Sequence, residues 1–192
     1  MTARAGAARP EPSPDGDAAV LLATIERLRW PLTAARADAA EVAAAVDGRL
    51  HDGGAPLPIT VTPTSPVLKD AAVVRTWGGE EAASVTLRLA DTVAVQLGVL
   101  EALAGPARRL RTRATAEETV VLPALPGLPG ATHECGLLAT LRPDGVDDPD
   151  QEQGPSGRPG RTPVDATPVD ATRPAPSCLL AAVTLRRDRR LA

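Results

Sequence analysis

Two short apolar segments in the last third of the chain resemble each other and constrain the fold most strongly. Residues 135–142 read Cys-Gly-Leu-Leu-Ala-Thr-Leu-Arg, and residues 178–186 read Cys-Leu-Leu-Ala-Ala-Val-Thr-Leu-Arg. Short runs rich in branched side chains, bounded by turn residues, are typical of buried strands. The stretch between them, 143–176, is rich in Pro, Gly and Asp, which favour turns over regular elements. We therefore predict two antiparallel strands of one sheet, joined by a disordered insertion.

Periodic patterns in the rest of the chain predict further strands and helices. Residues 84–89 alternate between apolar and polar side chains, which is typical of a half-buried strand, and residues 59–62 do the same. Apolar residues at helical spacing predict helices at about 18–30, 38–48 and 92–104. The sequence therefore predicts the α+β class, with a mainly antiparallel sheet of five to six strands and two or three helices on one face.

One domain accounts for the length of 192 residues. Residues 1–16 show no periodicity and are predicted to form a disordered tail. The domain itself is expected to comprise residues 17–142 together with 177–188.

Composition limits both the core and the partners. The chain has no Phe and no Tyr, so the core is expected to consist of Leu, Val and Ala. The net charge of −3 and the lack of Phe and Tyr for base stacking argue against nucleic acid as a partner. No segment has the run of about 20 apolar residues that crosses a membrane. With two cysteines, too few for a disulfide framework, these features predict a cytoplasmic protein with no membrane partner.

A histidine, a carboxylate and a thiol follow one another at His133, Glu134 and Cys135, and they raise the question of a catalytic site. Cys135 as nucleophile with His133 as base is one hypothesis. A zinc site is another, and its candidate ligands are His51, His133, Cys135 and Cys178.

Antiparallel pairing of the two apolar segments argues against both hypotheses. It predicts that Cys135 lies near Thr184, about 23 Å from Cys178. It also places Cys135 on the core side of its strand, where a thiol is unreactive. We therefore predict no catalytic residue, no metal and no cofactor, and a thiol or zinc enzyme remains the alternative.

The remaining candidates are residues that would bind another protein. Trp77 is one of two tryptophans, and exposed tryptophan is a frequent interface anchor. A basic run formed by Arg108, Arg109, Arg111 and Arg113 fits an acidic partner. The sequence thus predicts a non-enzymatic protein-binding domain of the immunity, chaperone-like or adaptor type, whose partner it does not identify.

The order of landmarks along the chain resembles that of small α+β domains of GC-rich bacteria, a family without known activity. The landmarks are Leu28–Pro31, Ser84–Leu89 followed by Asp91, Gly105–Arg109 and Glu118–Pro123. The resemblance covers about residues 20–125. It implies a compact α+β fold and brings no functional residues with it.

Overall fold

The computed structural model describes residues 14–51, 58–76, 81–110, 118–126, 128–142 and 174–189. Within them the chain forms three helices and eight strands. The helices are α1 (Pro14–Thr33), α2 (Ala39–Ala45) and α3 (Leu97–Ala104). The strands are β1 (Gly48–His51), β2 (Ile59–Pro63), β3 (Leu68–Arg75), β4 (Ala82–Leu89), β5 (Arg108–Arg109), β6 (Glu118–Leu125), β7 (His133–Leu141) and β8 (Leu180–Arg189).

All eight strands belong to one antiparallel sheet with the order β1-β2-β3-β4-β8-β7-β6-β5. The order describes two meanders, β1–β4 and β5–β8, whose last strands pair at the centre. Helices α1 and α2 precede the first meander, and α3 precedes the second. The two halves are therefore related by an approximate two-fold axis that passes between β4 and β8.

The axis passes beside Thr86 and Thr184, which face each other across the central strand pair. Their hydroxyl oxygens lie 2.9 Å apart and form a hydrogen bond. Each threonine lies in the same tetrapeptide, Val-Thr-Leu-Arg, at residues 85–88 of β4 and 183–186 of β8. The approximate symmetry is thus visible in the sequence once the register is known.

One face of the sheet is buried and the other is open, because side chains alternate across a strand. Val85, Leu87, Val183 and Leu185 point to the buried face and pack in the core. The same core includes the inward residues of all three described helices, among them Leu21, Ile25, Leu28, Leu32, Val42, Leu97 and Leu100. The helices therefore cover one face, as predicted, and the α+β class is confirmed.

The predicted number of five or six strands is wrong. The described residues contain eight. The edge strand β1 was not predicted, whereas β5 lies within an extended segment that the sequence predicts at 108–113. β1 has four residues and β5 has two. Neither shows the apolar alternation that marks a strand in sequence, because exposed edges carry polar side chains.

The boundaries of all three helices differ from expectation. The helix predicted at 38–48 ends at Ala45, and Gly48 already begins β1. α1 begins at Pro14 and continues past Pro31 to Thr33, although a residue before proline usually leaves the helix. Burial of Leu32 within the core accounts for the extra turn. α3 begins only at Leu97, because the residues before it are extended and buried beside the start of β8. The carbonyl of Val95 accepts the N–H of Leu180, and the N–H of Leu97 donates to the carbonyl of Cys178.

The antiparallel pairing of β7 with β8 is confirmed, but the predicted register is wrong. Cys135 pairs with Arg187, and Thr184 pairs with Leu138. Of the tail predicted at 1–16, residues 14–16 instead begin α1. Residues 1–13 and 143–173 lie outside the described residues, so the predictions of disorder there remain predictions.

Candidate functional site

The thiol of Cys135 is part of the core. Its residue is 1% exposed, and burial raises the pKa of the thiol to about 12. At neutral pH the thiol is therefore protonated, which removes the nucleophilic form that thiol chemistry needs. These observations disfavour the hypothesis of a Cys135 nucleophile with His133 as its base.

The candidate zinc ligands do not come together. His51 lies on β1, five strands away from β7 and so about 24 Å from it. Cys178 precedes β8 at the end opposite Cys135, whose partner across the sheet is Arg187. Both cysteines are free thiols, and the described residues contain no group of three or more metal-ligating side chains.

We expect alkylation to distinguish the two thiols in the folded protein. Burial should slow the reaction of Cys135 with iodoacetamide at neutral pH by at least ~100-fold relative to the urea-unfolded chain. Cys178 is partly exposed and should react under native conditions. Mass spectrometry of the labelled peptides measures both rates. Rapid native labelling of Cys135 would contradict the assignment and favour the thiol-enzyme alternative.

Of the binding residues predicted from sequence, Trp77, Arg111 and Arg113 lie outside the described residues. Arg108 and Arg109 are exposed on the edge strand β5. Arg109 forms an ion pair with Glu118, with 2.6 Å between Nε and Oε1. Glu118 therefore neutralises the charge of Arg109, one of the arginines predicted to contact an acidic partner.

A buried arginine organises one end of the sheet. The side chain of Arg187 is 6% exposed, and its Nη1 lies 2.5 Å from Oε2 of Glu81. Its Nη2 donates to the carbonyl oxygens of Ala34 and Ala35 at 2.9 and 2.7 Å. Arg187 thus fastens both the loop after α1 and the start of β4 to the end of β8.

This arrangement also determines the charge state of Glu81. The hydrogen bond from Arg187 lowers the pKa of the Glu81 carboxyl, and the positive charges of Arg187, Arg36 and His133 lower it further. Glu81 therefore stays ionised to a lower pH than an unpaired glutamate does. Beside it lies a cleft of about 260 Å³, lined by Arg36, Asp38, Glu41 and Glu81.

A second, more apolar groove adjoins this charged cleft through the loop at residues 34–36. It has a volume of about 220 Å³ and is lined by Trp30, Thr33, Ala34, Ala35 and residues 128–131. The indole of Trp30 is the prominent feature, because this large apolar residue is 69% exposed. We call the groove and the charged cleft together the Trp30 surface.

The helix geometry explains why Trp30 points outward. Leu28 and Leu32 are fully buried and define the inward stripe of α1, and Trp30 lies between them on another face. The loop that forms the opposite wall is attached to the end of α1, since Thr132 donates its backbone N–H to the carbonyl of Thr33 at 3.2 Å. Arg29 also donates to the carbonyl of Pro126.

Sequence reasoning missed both Trp30 and Arg187, although each carried a signal. Leu21, Ile25 and Leu28 form the inward apolar stripe of the predicted helix, and Trp30 does not fall on that stripe. Arg187 has the same parity in β8 as Val183 and Leu185, so its side chain starts on the core face. A charged residue at an inward position indicates a specific buried partner.

Comparisons with known proteins identify no relative. No protein-family model matches the chain, and neither a curated protein nor a solved structure matches it. The resemblance to small domains of GC-rich bacteria therefore stays a prediction. In the described part of the chain, no helix is both long and apolar enough to cross a membrane.

Proposed function

We propose that the chain is a non-enzymatic protein-binding domain that contacts its partner through the Trp30 surface. The exposed indole of Trp30 carries this proposal. The chain has two tryptophans and no phenylalanine or tyrosine. The large side chain of Trp30 faces solvent, where tryptophan is a frequent anchor of interfaces.

The layout of the Trp30 surface supports the same proposal. An apolar groove with an aromatic side chain lies next to a charged cleft, and protein interfaces commonly combine an aromatic centre with a polar rim. The loops on both sides are held by backbone hydrogen bonds and by Arg187. A surface that is already ordered loses little conformational entropy on binding.

Adaptor, immunity and chaperone-like roles all fit such a surface. A cytoplasmic location is part of the proposal and is supported by the two free thiols, Cys135 and Cys178, which a reducing compartment maintains. The exposed Arg108 and Arg109 are a separate candidate contact, suited to an acidic region of a partner.

A capture experiment with matched baits tests the proposal. Wild-type protein immobilised in native lysate should retain a stoichiometric partner, and Trp30→Ala should retain at least ~10-fold less, because removal of an anchor typically costs more than one order of magnitude. The control is Leu110→Ala. Leu110 is 44% exposed and lies beside Thr119, at the opposite end of the sheet.

The urea midpoint of each bait shows whether it is folded. Trp30→Ala should keep the wild-type midpoint, because substitution of an exposed side chain changes stability little. Equal capture by wild type, Trp30→Ala and Leu110→Ala would contradict the proposed role of Trp30. The absence of any stoichiometric partner would contradict the protein-binding function itself.

A further inference from the structure

An uncharged row of side chains crosses the open face of the sheet over six strands. Within the described residues, the helices lie on the other face, and the register aligns this row from β2 to β6. Its members are Thr60, Ala72, Thr86, Thr184, Leu138 and Val121. Val121 at one end is 37% exposed. The face thus presents small and apolar side chains without a charge along its central line.

One arginine–aspartate pair flanks this row on each side. Arg88 lies 3.7 Å from Asp70 on one side, and Arg186 lies 2.8 Å from Asp188 on the other. Arg88 and Arg186 are the last residues of the two Val-Thr-Leu-Arg segments, so the approximate two-fold axis relates them.

The position of Asp188 depends on a glycine. The residue that corresponds to Asp70 under this axis is Gly136, because Asp70 pairs with Arg88 and Gly136 pairs with Arg186. A Cβ atom at Gly136 would lie only 2.5 Å from Oδ2 of Asp188. The Asp188 carboxylate therefore lies over the strand where Gly136 has no side chain, and with Glu134, its partner in the register, it supplies negative charge on that side of the row.

We propose that this open face binds the same face of a second copy of the chain and forms a two-fold symmetric dimer. In such a dimer each surface must complement itself. The open face does so, because the uncharged row can lie on its counterpart, and each flanking pair offers both an arginine and an aspartate to the other copy.

The size of the face fits a stable interface. Six strands about 4.8 Å apart and about eight residues long cover roughly 750 Å². Stable complexes typically bury about 800 Å² on each partner. Two antiparallel sheets packed face to face are also a common arrangement in proteins.

The proposed dimer is independent of the partner-binding role. Trp30 lies on α1, which covers the opposite face of the sheet, so both Trp30 surfaces of the dimer would remain accessible. Failure of one proposal therefore leaves the other intact.

Sedimentation velocity of the full chain over a concentration series tests the dimer. Wild type should sediment as a dimer, and Leu138→Arg and Val121→Arg should dissociate at least ~100-fold more readily, because each places an unpaired charge within the interface. Val20→Arg is the control, since Val20 is 37% exposed on α1.

Circular dichroism establishes that each variant is folded, and Val121→Arg is the safer variant because its side chain is already exposed. If wild type is monomeric at every concentration, the proposal is overturned. That result would hold whether the face is open, is covered by another segment of the chain or binds another protein. A dimer that is unaffected by both Leu138→Arg and Val121→Arg would overturn it as well.

Discussion

Replacing Leu185 with alanine is expected to lower the free energy of unfolding by about 2–5 kcal/mol. Leu185 is fully buried in β8 and faces Val85 on one side and Leu137 on the other. Loss of its side chain leaves a cavity at the junction of the two meanders. The core contains no Phe or Tyr that could shift to fill it.

Urea unfolding followed by far-UV circular dichroism measures this loss. Leu110→Ala makes the same chemical change at a residue that is 44% exposed, and it should alter stability by less than about 1 kcal/mol. Similar losses for Leu185→Ala and Leu110→Ala would contradict the position of β8 at the centre of the sheet.

Replacing Arg187 with alanine is expected to lower the free energy of unfolding by about 1–3 kcal/mol, the usual range for hydrogen bonds to a charged group. The change removes a buried guanidinium that bonds Glu81 and the carbonyls of Ala34 and Ala35. Arg109→Ala is the control. It breaks an ion pair with Glu118 that is exposed on both sides, so it should cost less than about 1 kcal/mol.

The pH dependence of the stability lost in Arg187→Ala provides a second test of the Arg187–Glu81 ion pair. The folded protein lowers the pKa of Glu81 below its usual value of 4.5, so the ion pair stabilises the fold fully at higher pH and loses its effect as the pH falls through the lowered pKa. The difference in stability between wild type and Arg187→Ala should therefore narrow as the pH falls below 4.5. A difference that stays constant from neutral to acidic pH would show that Glu81 contributes nothing.

Clear apolar patterns in the sequence predicted the central strands of the sheet, whereas the edge strand β1 shows no such pattern and was not predicted. The strands around Ser84–Leu89 and Cys135–Leu141 follow clear apolar patterns, and the resemblance of β7 to β8 predicted their antiparallel pairing. Their register could not be predicted, because a long connection leaves it free and an irregularity occurs between Thr140 and Leu141. The edge strand β1 is exposed and carries no apolar alternation to reveal it.

The start of α3 and the Trp30 surface illustrate a second limit of sequence reasoning. Val93 follows the helical stripe of Leu97 and Leu100, yet tertiary hydrogen bonds beside β8 hold its segment extended. The Trp30 surface forms only when the end of α1 meets residues 128–131, which are distant in the chain. From its pattern alone, Trp30 only marks the end of the helix predicted at 18–30, and the predicted interface residue is Trp77, which lies outside the described residues.

Site-specific photo-crosslinking in the native cells tests the role of Trp30 and does not require the partner to be identified first. A photoreactive phenylalanine derivative is placed at position 30 in one variant and at position 110 in another. We predict a discrete covalent adduct from position 30 and none from position 110, because Leu110 lies at the opposite end of the sheet. Equal adducts from both positions, or none from position 30, would contradict the assignment of Trp30 as the anchor of a protein interface.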